Sequence, residues 1–435
     1  MKIVQITPGS GGGFYCENCL RDAALAPAMR RLGHDVILVP LYLPMRVDRR
    51  HQATDTPIFF GGLNVWLQQK FGLFRKTPRW VDRLFDSPWL LGWAARKAGM
   101  TSPEQLGQTV ISMLLGEQGR QIKELERLIE WLTAEENRCE LVCLSNILLA
   151  GLARRIKAAL GVPVVCLLQD EHGFLDGLRR PYSQQAWDIL KRRCSDIDAF
   201  VAVSRYYGEL MRDRLGLDRR RVRLGYVGIP LQEYRPVRSR PATPTVGFLS
   251  QMCPAKGLDT LVEAFITVKK NERLRTARLR VAGGHSPADK AFLGRIRRRL
   301  DRCGYGADVD FLSGFARDAT PEFLGTLSVL SVPEKQPVAY GLYVLESLAA
   351  GVPVVQPRSG VFPELLELTG GGVLFEPNDP EDLARALEGL LLEPGYADKL
   401  GQKGRQAVFE KFDIDQTARD MMRIYEELAG RVSRG

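Results

Sequence analysis

One ammonium group and one carboxylate stand at loop-to-helix junctions in the second half of the chain. Lys256 directly precedes the helix predicted from GLDTLVEAF, and Glu346 lies about one turn into the helix predicted to begin at Gly341. The first N–H groups of this helix, those of residues 341 to 344, lack helical acceptors and attract anions. We therefore expect Lys256 and this helix start to hold a phosphate. The anionic Glu346 would accept hydrogen bonds from neutral hydroxyls, such as a ribose diol, or simply complement the helix dipole.

A second candidate phosphate site is the glycine-rich loop TPGSGGG, which follows the first predicted strand. Gly9, Gly12 and Gly13 allow the backbone to approach a ligand closely, and a helix beginning near Glu17 would direct its N–H groups to the same place. The spacing matches neither the Gly-x-Gly-x-x-Gly pattern of dinucleotide-binding proteins nor a Walker loop. A tight turn without a ligand is therefore the alternative.

Cysteine and histidine usage is typical of a reducing compartment and of a protein without a structural metal. Among eight cysteines the close pairs are Cys16 with Cys19 and Cys139 with Cys143, and none of the four histidines has His-x-x-x-His spacing. We expect no metal site. Cys16 and Cys19, near a predicted helix start, suit either redox chemistry or burial as small apolar side chains.

The composition is that of a globular protein that favours anionic partners. Hydrophobic residues make up 45% and charged residues 26% of the 435 residues, and the net charge is +10. No apolar run approaches the roughly 18 residues of a membrane span, and the N-terminus lacks a secretory pattern, so we expect a cytoplasmic protein. The sequence contains no recognition motif for nucleic acid, and we expect no such partner.

An aromatic and basic segment, residues 59 to 97, interrupts the first half of the chain. It interleaves tryptophans and phenylalanines with arginines and lysines, as do membrane-interface segments, sites for lipid-linked acceptors and single-stranded nucleic-acid binders. The alternative is an inserted helical subdomain, about residues 41 to 120, that packs its rings inward. Peripheral contact with an anionic membrane, at its inner face, is therefore a hypothesis.

Both halves of the chain alternate apolar β-type runs with helical stretches, the pattern of a parallel sheet covered by helices. The predicted strands are residues 2–7, 35–40, 141–146, 162–170 and 197–204, then 245–250, 279–284, 308–314, 327–333 and 352–357. The proline-rich segment 230 to 245 is typical of an interdomain linker. We predict an α/β protein of two Rossmann-like, doubly wound parallel-sheet domains, whose facing sheets would form a cleft for ligands.

These segments resemble a known family, the GT-B glycosyltransferases of family 4, also called group 1, which are retaining enzymes that use nucleotide-sugar donors. The resemblance is carried in order by KIVQITPGSGGG, VAVSRYYGELMRDRLGL, KGLDTLVEAF, LESLAAGVPVVQPRSGVFPELL and EKFDIDQTARDMMRIYEEL. It covers nearly the whole chain apart from residues 41 to 120. It implies an acceptor domain over 1–232, a donor domain over 240–410, and a terminal helix over 413–430 that crosses back to the acceptor domain.

The resemblance implies a role for each matching position of the donor domain. Glu346 would bind the ribose hydroxyls of the donor, and Lys256 would hold its diphosphate. The helix start at residues 341 to 344, with the amides of Leu342 and Tyr343, would donate hydrogen bonds to the same phosphates.

For the acceptor domain, the resemblance places Gly12 and Gly13 toward the donor phosphate and the acceptor. Asp170, Glu171 and His172, in the segment LLQDEHGFLDGL, are the nearby polar candidates for orienting an acceptor, and we predict them as catalytic residues. The alternative for His172 is a hydrogen-bonded loop histidine.

Three positions depart from the pattern of the family. Val338 stands where the family has the first glutamate of its Glu-x7-Glu motif, which contacts the donor sugar. Gln251 replaces an arginine that accompanies the diphosphate lysine, and Gln169 replaces a histidine. A hydrogen bond to a charged group contributes about 1.5–3 kcal/mol, so loss of the arginine is tolerable. An isopropyl group, however, cannot replace a carboxylate that orients the sugar.

We therefore predict a retaining glycosyltransferase that moves a sugar from a UDP- or GDP-type donor to an acceptor hydroxyl of a glycan or a lipid-linked acceptor. Neither a cofactor nor a metal is expected, because an ammonium group and helix dipoles can neutralise a diphosphate. The alternative is a degenerate GT-B protein that binds a nucleotide or a partner without sugar transfer.

Overall fold

The computed structural model describes residues 1–9, 17–42, 103–234, 241–312 and 315–432. The chain divides into two compact units: unit 1 comprises Met1–Tyr226 with Thr417–Gly435, and unit 2 comprises Val227–Gln416. The glycine loop with Gly12 and Gly13, Cys16 and the aromatic and basic segment 59 to 97 lie outside the described residues, so the predictions made for them stay predictions.

Unit 1 contains a six-stranded, all-parallel sheet in the order β2-β1-β3-β4-β5-β6. Its strands are β1 (Lys2–Thr7), β2 (Asp35–Pro40), β3 (Leu141–Leu144), β4 (Val164–Leu168), β5 (Ala199–Ala202) and β6 (Val222–Leu224). Its described helices are α1 (Glu17–Arg31), α2 (Pro103–Leu114), α3 (Ile122–Thr133), α4 (Ala153–Leu160), α5 (Glu171–Gly177), α6 (Tyr182–Arg193) and α7 (Arg205–Leu215). Strands β3, β4 and β5 are buried along their whole length, as expected in the middle of a sheet covered on both faces.

Unit 2 contains a second six-stranded parallel sheet, in the order β12-β11-β10-β7-β8-β9. Its strands are β7 (Thr245–Leu249), β8 (Arg278–Ala282), β9 (Val309–Phe311), β10 (Val329–Leu330), β11 (Val354–Pro357) and β12 (Gly372–Phe375). Its described helices are α8 (Leu258–Val268), α9 (Lys290–Arg302), α10 (Thr320–Leu324), α11 (Leu342–Ala349), α12 (Phe362–Thr369), α13 (Pro380–Leu392) and α14 (Pro394–Lys411). Strands β7, β10 and β11 are fully buried.

The last helix, α15 (Ile414–Val432), joins unit 1 from Thr417 onward. Its Tyr425 is fully buried, and the hydroxyl of this tyrosine lies 3.2 Å from Sγ of Cys143 on β3. This contact attaches the end of the chain to the first sheet. In the part of the chain that the structure describes, no helix is both long and apolar enough to cross a membrane.

The predicted α/β architecture is confirmed, and all ten predicted strands are present, most of them shorter than expected. Strands β6 and β12 were missed. Both are short edge strands: Arg223 interrupts the apolar run of β6, and β12 has only four residues, the first of them Gly372. Strand β10 keeps only two residues of the predicted 327–333, because residues 327–328 precede the strand and residues 331–333 belong to the loop that leaves the sheet.

Candidate functional site

The candidate site of unit 2 lies where the strand order of its sheet reverses. Strands β8 and β9 extend the sheet on one side of β7, whereas β10, β11 and β12 extend it on the other. Ligands of open parallel sheets bind at the carboxyl ends of the strands at such a switch point. The loops that leave β7 and β10 there are residues 250–257 and 331–341.

Lys256 and Glu334 connect these two loops. The ammonium group of Lys256 donates to Oε1 of Glu334 at 2.6 Å, and the hydroxyl of Tyr343 donates to the same oxygen at 3.2 Å. The Glu334 side chain is 4% exposed, and that of Lys256 is 26% exposed. Burial raises the pKa of Glu334, and the Lys256 ammonium opposes this shift. The predicted phosphate ligand Lys256 is thus already hydrogen-bonded to a buried carboxylate.

The close approach of the two loops depends on Gly257. Its φ is +69°, and a Cβ atom at this position would lie 1.9 Å from the carbonyl oxygen of Pro333. A second ion pair reinforces the contact: Nζ of Lys335 lies 2.6 Å from Oδ2 of Asp259 in the first turn of α8. The position of Lys256 at this turn could therefore be predicted from the sequence, because the next residue is a glycine that permits the turn. Its contact with Glu334 depends on the order of the strands in the sheet.

Glu346, predicted to bind ribose hydroxyls, is buried and forms an ion pair with Arg317. Nη1 of Arg317 donates to Oε2 of Glu346 at 3.3 Å, and Nη2 donates to Oε1. Arg317 lies in the segment after β9 and was not singled out in the sequence. The ribose role of Glu346 stays a prediction, and a ligand there would meet a carboxylate that is already hydrogen-bonded.

The helix start expected at Gly341 is present, since α11 begins at Leu342 with Gly341 as its N-cap. The amide of Val344 donates to the carbonyl of Gly341 at 3.1 Å, so this fourth N–H is used within the helix, contrary to our expectation for residue 344. A Cβ atom on Gly341 would lie 3.1 Å from the Phe362 ring. Leu342 and Tyr343 keep their predicted place in the first turn.

Val338 and Gln251, the two departures from the family pattern in unit 2, are both near this site. Val338 is 7% exposed, and its carbonyl accepts a hydrogen bond from the amide of Val361 at 3.0 Å. Gly360, with φ +57°, allows this contact, because a Cβ atom there would lie 2.6 Å from the backbone of Val338. Burial would raise the pKa of Asp289, which precedes α9, but hydrogen bonds from Ser286 and the nearby Gln251 side chain hold it below its usual value.

In unit 1, Glu171 holds together the carboxyl ends of β3 and β4. Its Oε1 accepts from the amide of Ile147 at 3.0 Å, and its Oε2 accepts from the amide of Gln169 at 2.7 Å and the hydroxyl of Tyr207 at 2.8 Å. Burial raises the pKa of Glu171, and the hydrogen bond from Ile147 opposes this shift. Both oxygens of this carboxylate therefore accept hydrogen bonds from protein donors, and its predicted catalytic role stays a prediction.

Asp170 and His172 flank this buried carboxylate and are more accessible. Nδ1 of His172 lies 3.6 Å from Oδ1 of Asp170, with side-chain exposures of 12% and 33%. The ring of His172 packs 5.4 Å from that of Tyr207, whose hydroxyl accepts from the His172 amide at 3.2 Å. Of the three predicted catalytic residues, these two are the candidates for contact with an acceptor. Gln169 is buried, and its side-chain amide donates to the carbonyl of Ser145.

Three residues of these sites were missed in the sequence: Arg317, Glu334 and Tyr207. Glu334 carried a usable signal, since it directly follows the end of a predicted strand beside the helix of Glu346. Arg317 and Tyr207 carried none, because they are distant in sequence from their partners. Among the described residues, no group of three His, Cys, Asp or Glu side chains is arranged to hold a metal ion.

Two family models match adjacent parts of the chain. Residues 93–233 match glycosyltransferase family 4, and residues 232–407 match the glycosyl transferases group 1. Among curated relatives, the GDP-mannose-dependent alpha-(1-6)-phosphatidylinositol monomannoside mannosyltransferase of Mycobacterium tuberculosis is 31% identical over 40% of this chain and 45% of its own length. The D-inositol 3-phosphate glycosyltransferase of Acidothermus cellulolyticus is 30% identical over 49% of this chain and 50% of its own length. The chain thus spans about half the length of the curated relatives it matches.

Solved structures are similar to the whole chain. Sucrose-phosphate synthase from Thermosynechococcus elongatus has a TM-score of 0.71 at 18% identity, covering 99% of each chain. Anabaena HepE in complex with UDP has a TM-score of 0.67 at 16% identity, covering 98% of this chain and 100% of its own. At such identities the likeness shows the fold alone. The two family matches establish that this chain belongs to the group 1, or family 4, glycosyltransferases, and the structural likeness shows that it has their GT-B fold.

Proposed function

We propose that this protein transfers a sugar from a UDP- or GDP-type donor to an acceptor hydroxyl, with retention of the anomeric configuration. The observation that carries the proposal is the convergence of Lys256 and the α11 start at the switch point of unit 2, with Glu346 one helical turn further. A cation and helix amides suit a diphosphate, and a buried carboxylate suits hydroxyl groups.

The relatives support a nucleotide-sugar donor and leave its base open. One curated relative is named as GDP-mannose-dependent, and HepE was solved with UDP and with UDP-glucose. Retention rests on the family resemblance, in which the leaving phosphate serves as the base. We also propose that Lys256 and the helix dipole neutralise this phosphate without a cofactor or metal ion.

For the acceptor, we propose a glycan or a lipid-linked molecule that meets Asp170 and His172 of unit 1. The accessible position of these two residues, on either side of the anchored Glu171, supports the assignment. The Mycobacterium tuberculosis relative is named for a phosphatidylinositol monomannoside acceptor, which favours a lipid-linked class.

Titration with UDP, GDP and ADP, followed by calorimetry, tests the donor site. We expect UDP or GDP to bind and ADP to bind more weakly. Absence of binding by all three would exclude the enzymatic proposal. Binding without product across a panel of UDP- and GDP-sugars would instead favour a degenerate GT-B protein, while the anomeric configuration of any product tests retention.

The Val338→Glu variant tests the placement of Val338 at the donor sugar. We expect the ratio of donor hydrolysis to sugar transfer to change by about tenfold or more, because a hydrogen bond to a charged group contributes about 1.5–3 kcal/mol. Val338→Gln, which adds similar volume without charge, is the matched control. An unchanged ratio in a folded Val338→Glu protein would contradict the placement.

Membrane contact through the aromatic and basic segment 59 to 97 is a separate proposal. We expect the protein to co-sediment with anionic liposomes at low salt and to be released at high salt, since exposed charge attraction is screened. Equal sedimentation with neutral and anionic liposomes, or none with either, would argue against it.

A further inference from the structure

The cation best placed to bind the donor diphosphate is paired with a carboxylate in this structure. Nζ of Lys256 lies 2.6 Å from Oε1 of Glu334, and the pair joins the loops that leave β7 and β10. Because Glu334 lies in the loop that leaves the central strand β10 and its side chain is 4% exposed, we expect its carboxylate to stay buried when a phosphate approaches. A diphosphate and Glu334 would therefore be anions that share one ammonium group.

Among the residues that the structure describes, no cation other than Lys256 lies at bonding distance from the Glu334 carboxylate. Across the described residues, the hydrogen bonds to its carboxylate come from Lys256 in the loop after β7 and from the neutral hydroxyl of Tyr343 on α11. The next charged residue along the chain, Lys335, is paired with Asp259 at 2.6 Å. With a phosphate bound, the buried Glu334 carboxylate would have to share the Lys256 ammonium with a second anion. A buried charge without its own cation costs free energy, so this arrangement would weaken phosphate binding.

We propose, on the basis of the proposed function, that Glu334 sets the affinity of this site for nucleoside diphosphates by competing for Lys256, and that phosphate binding is accompanied by proton uptake at Glu334. The proton comes from solvent and binds a carboxylate oxygen. Lys256 then donates to the phosphate in place of the Glu334 carboxylate, and the Tyr343 hydroxyl remains beside the neutral acid. Burial already favours this neutral form, because it raises the pKa of Glu334.

The proposal makes Glu334 a residue that determines the affinity of the site for nucleoside diphosphates. A site with this carboxylate binds a nucleoside diphosphate more weakly than a site with a neutral side chain, and the difference grows with pH. Release of the spent nucleotide after transfer is favoured for the same reason, because deprotonation of Glu334 restores its pairing with Lys256.

The test uses the full-length wild-type protein and Glu334→Gln, which keeps the size and an acceptor oxygen of the side chain. Calorimetry with UDP and with GDP, from pH 6 to 8.5, compares the two proteins, so that titration of the nucleotide phosphate cancels in the ratio of affinities. We expect Glu334→Gln to bind about tenfold or more tightly at pH 8, with a ratio that widens by up to about tenfold per pH unit. Asp259→Asn, which removes a carboxylate from the neighbouring ion pair, is the matched control and should change affinity by less than about threefold.

A second measurement does not depend on the variant. Wild-type titrations in two buffers of different ionisation enthalpy report the protons exchanged on binding, and we expect net uptake that exceeds the value for the nucleotide alone. If the wild type binds UDP or GDP without this uptake, and Glu334→Gln binds no more tightly, the role of Glu334 is wrong while the proposed function stands. If neither nucleotide binds to either protein, the proposed function itself fails. Should Glu334→Gln not fold, the wild-type proton count alone decides.

Discussion

Replacing Lys256 with methionine is expected to weaken the binding of UDP and GDP by about ten- to a hundredfold, because a hydrogen bond to a charged group contributes about 1.5–3 kcal/mol. The same change leaves the carboxyl group of Glu334, 4% exposed, without its cation. We expect this to lower the free energy of unfolding by about 1–3 kcal/mol. Calorimetry measures the first effect, and urea denaturation measures the second.

The loss of stability in Lys256→Met should depend on pH. Burial raises the pKa of Glu334 above its unfolded value, and Lys256 limits the shift, so methionine should raise the pKa further. A carboxyl with a raised folded pKa contributes stability that is full below its unfolded pKa and is lost as pH rises through the folded pKa. The variant should therefore approach wild-type stability toward pH 5 and fall behind it at neutral pH.

Lys335→Met is the matched control. Lys335 is the residue after Glu334, and its ion pair with Asp259 has the same N–O distance, but both side chains are about a third exposed. Such exposed pairs contribute about 0–1 kcal/mol, so we expect little change in stability or nucleotide affinity. Combining Lys256→Met with Glu334→Gln should recover much of the lost stability. Equal nucleotide binding by Lys256→Met and Lys335→Met would place the diphosphate elsewhere.

The second large effect is expected for Glu171→Ala, with a loss of about 3–5 kcal/mol in the free energy of unfolding. Truncation removes the acceptor of three donors at once: the amides of Ile147 and Gln169 and the hydroxyl of Tyr207. All three donors would then be buried near the carboxyl ends of β3 and β4 without their acceptor. Urea denaturation of the purified variant, followed by far-UV circular dichroism, measures the change.

Two neighbouring substitutions make the Glu171 experiment specific. Glu171→Gln keeps the shape and one acceptor oxygen, and should lose clearly less stability than alanine. Asp170→Asn, at a left-handed residue with φ +73° that asparagine tolerates, should change stability by less than about 0.5 kcal/mol. A Glu171→Ala protein of wild-type stability that has lost sugar transfer would instead show that the carboxylate acts on the acceptor.

Local patterns in the sequence determined most of the secondary-structure elements and the positions of the candidate donor-site residues. The buried apolar runs predict ten of the twelve described strands, and the glycines at 257 and 341 mark the turns that precede α8 and α11. These features depend on neighbouring residues, because helix starts and buried strands are encoded by periodicity, glycine positions and β-branched runs. The family resemblance, carried by the same segments, then predicted the GT-B fold.

Only the tertiary structure decided what those side chains contact. Lys256 and Glu334 are 78 residues apart and meet because β7 and β10 are neighbours in the sheet, although five elements, α8 to α10, separate the two strands in sequence. Glu346 likewise meets Arg317, and Glu171 meets Tyr207, across 29 and 36 residues. An ion pair or a buried hydrogen bond depends on which loops the strand order brings together and on how deeply they are covered. The sequence alone therefore placed Lys256 and Glu346 near the helix starts that follow β7 and β10, and the folded sheet determined how these charges are paired.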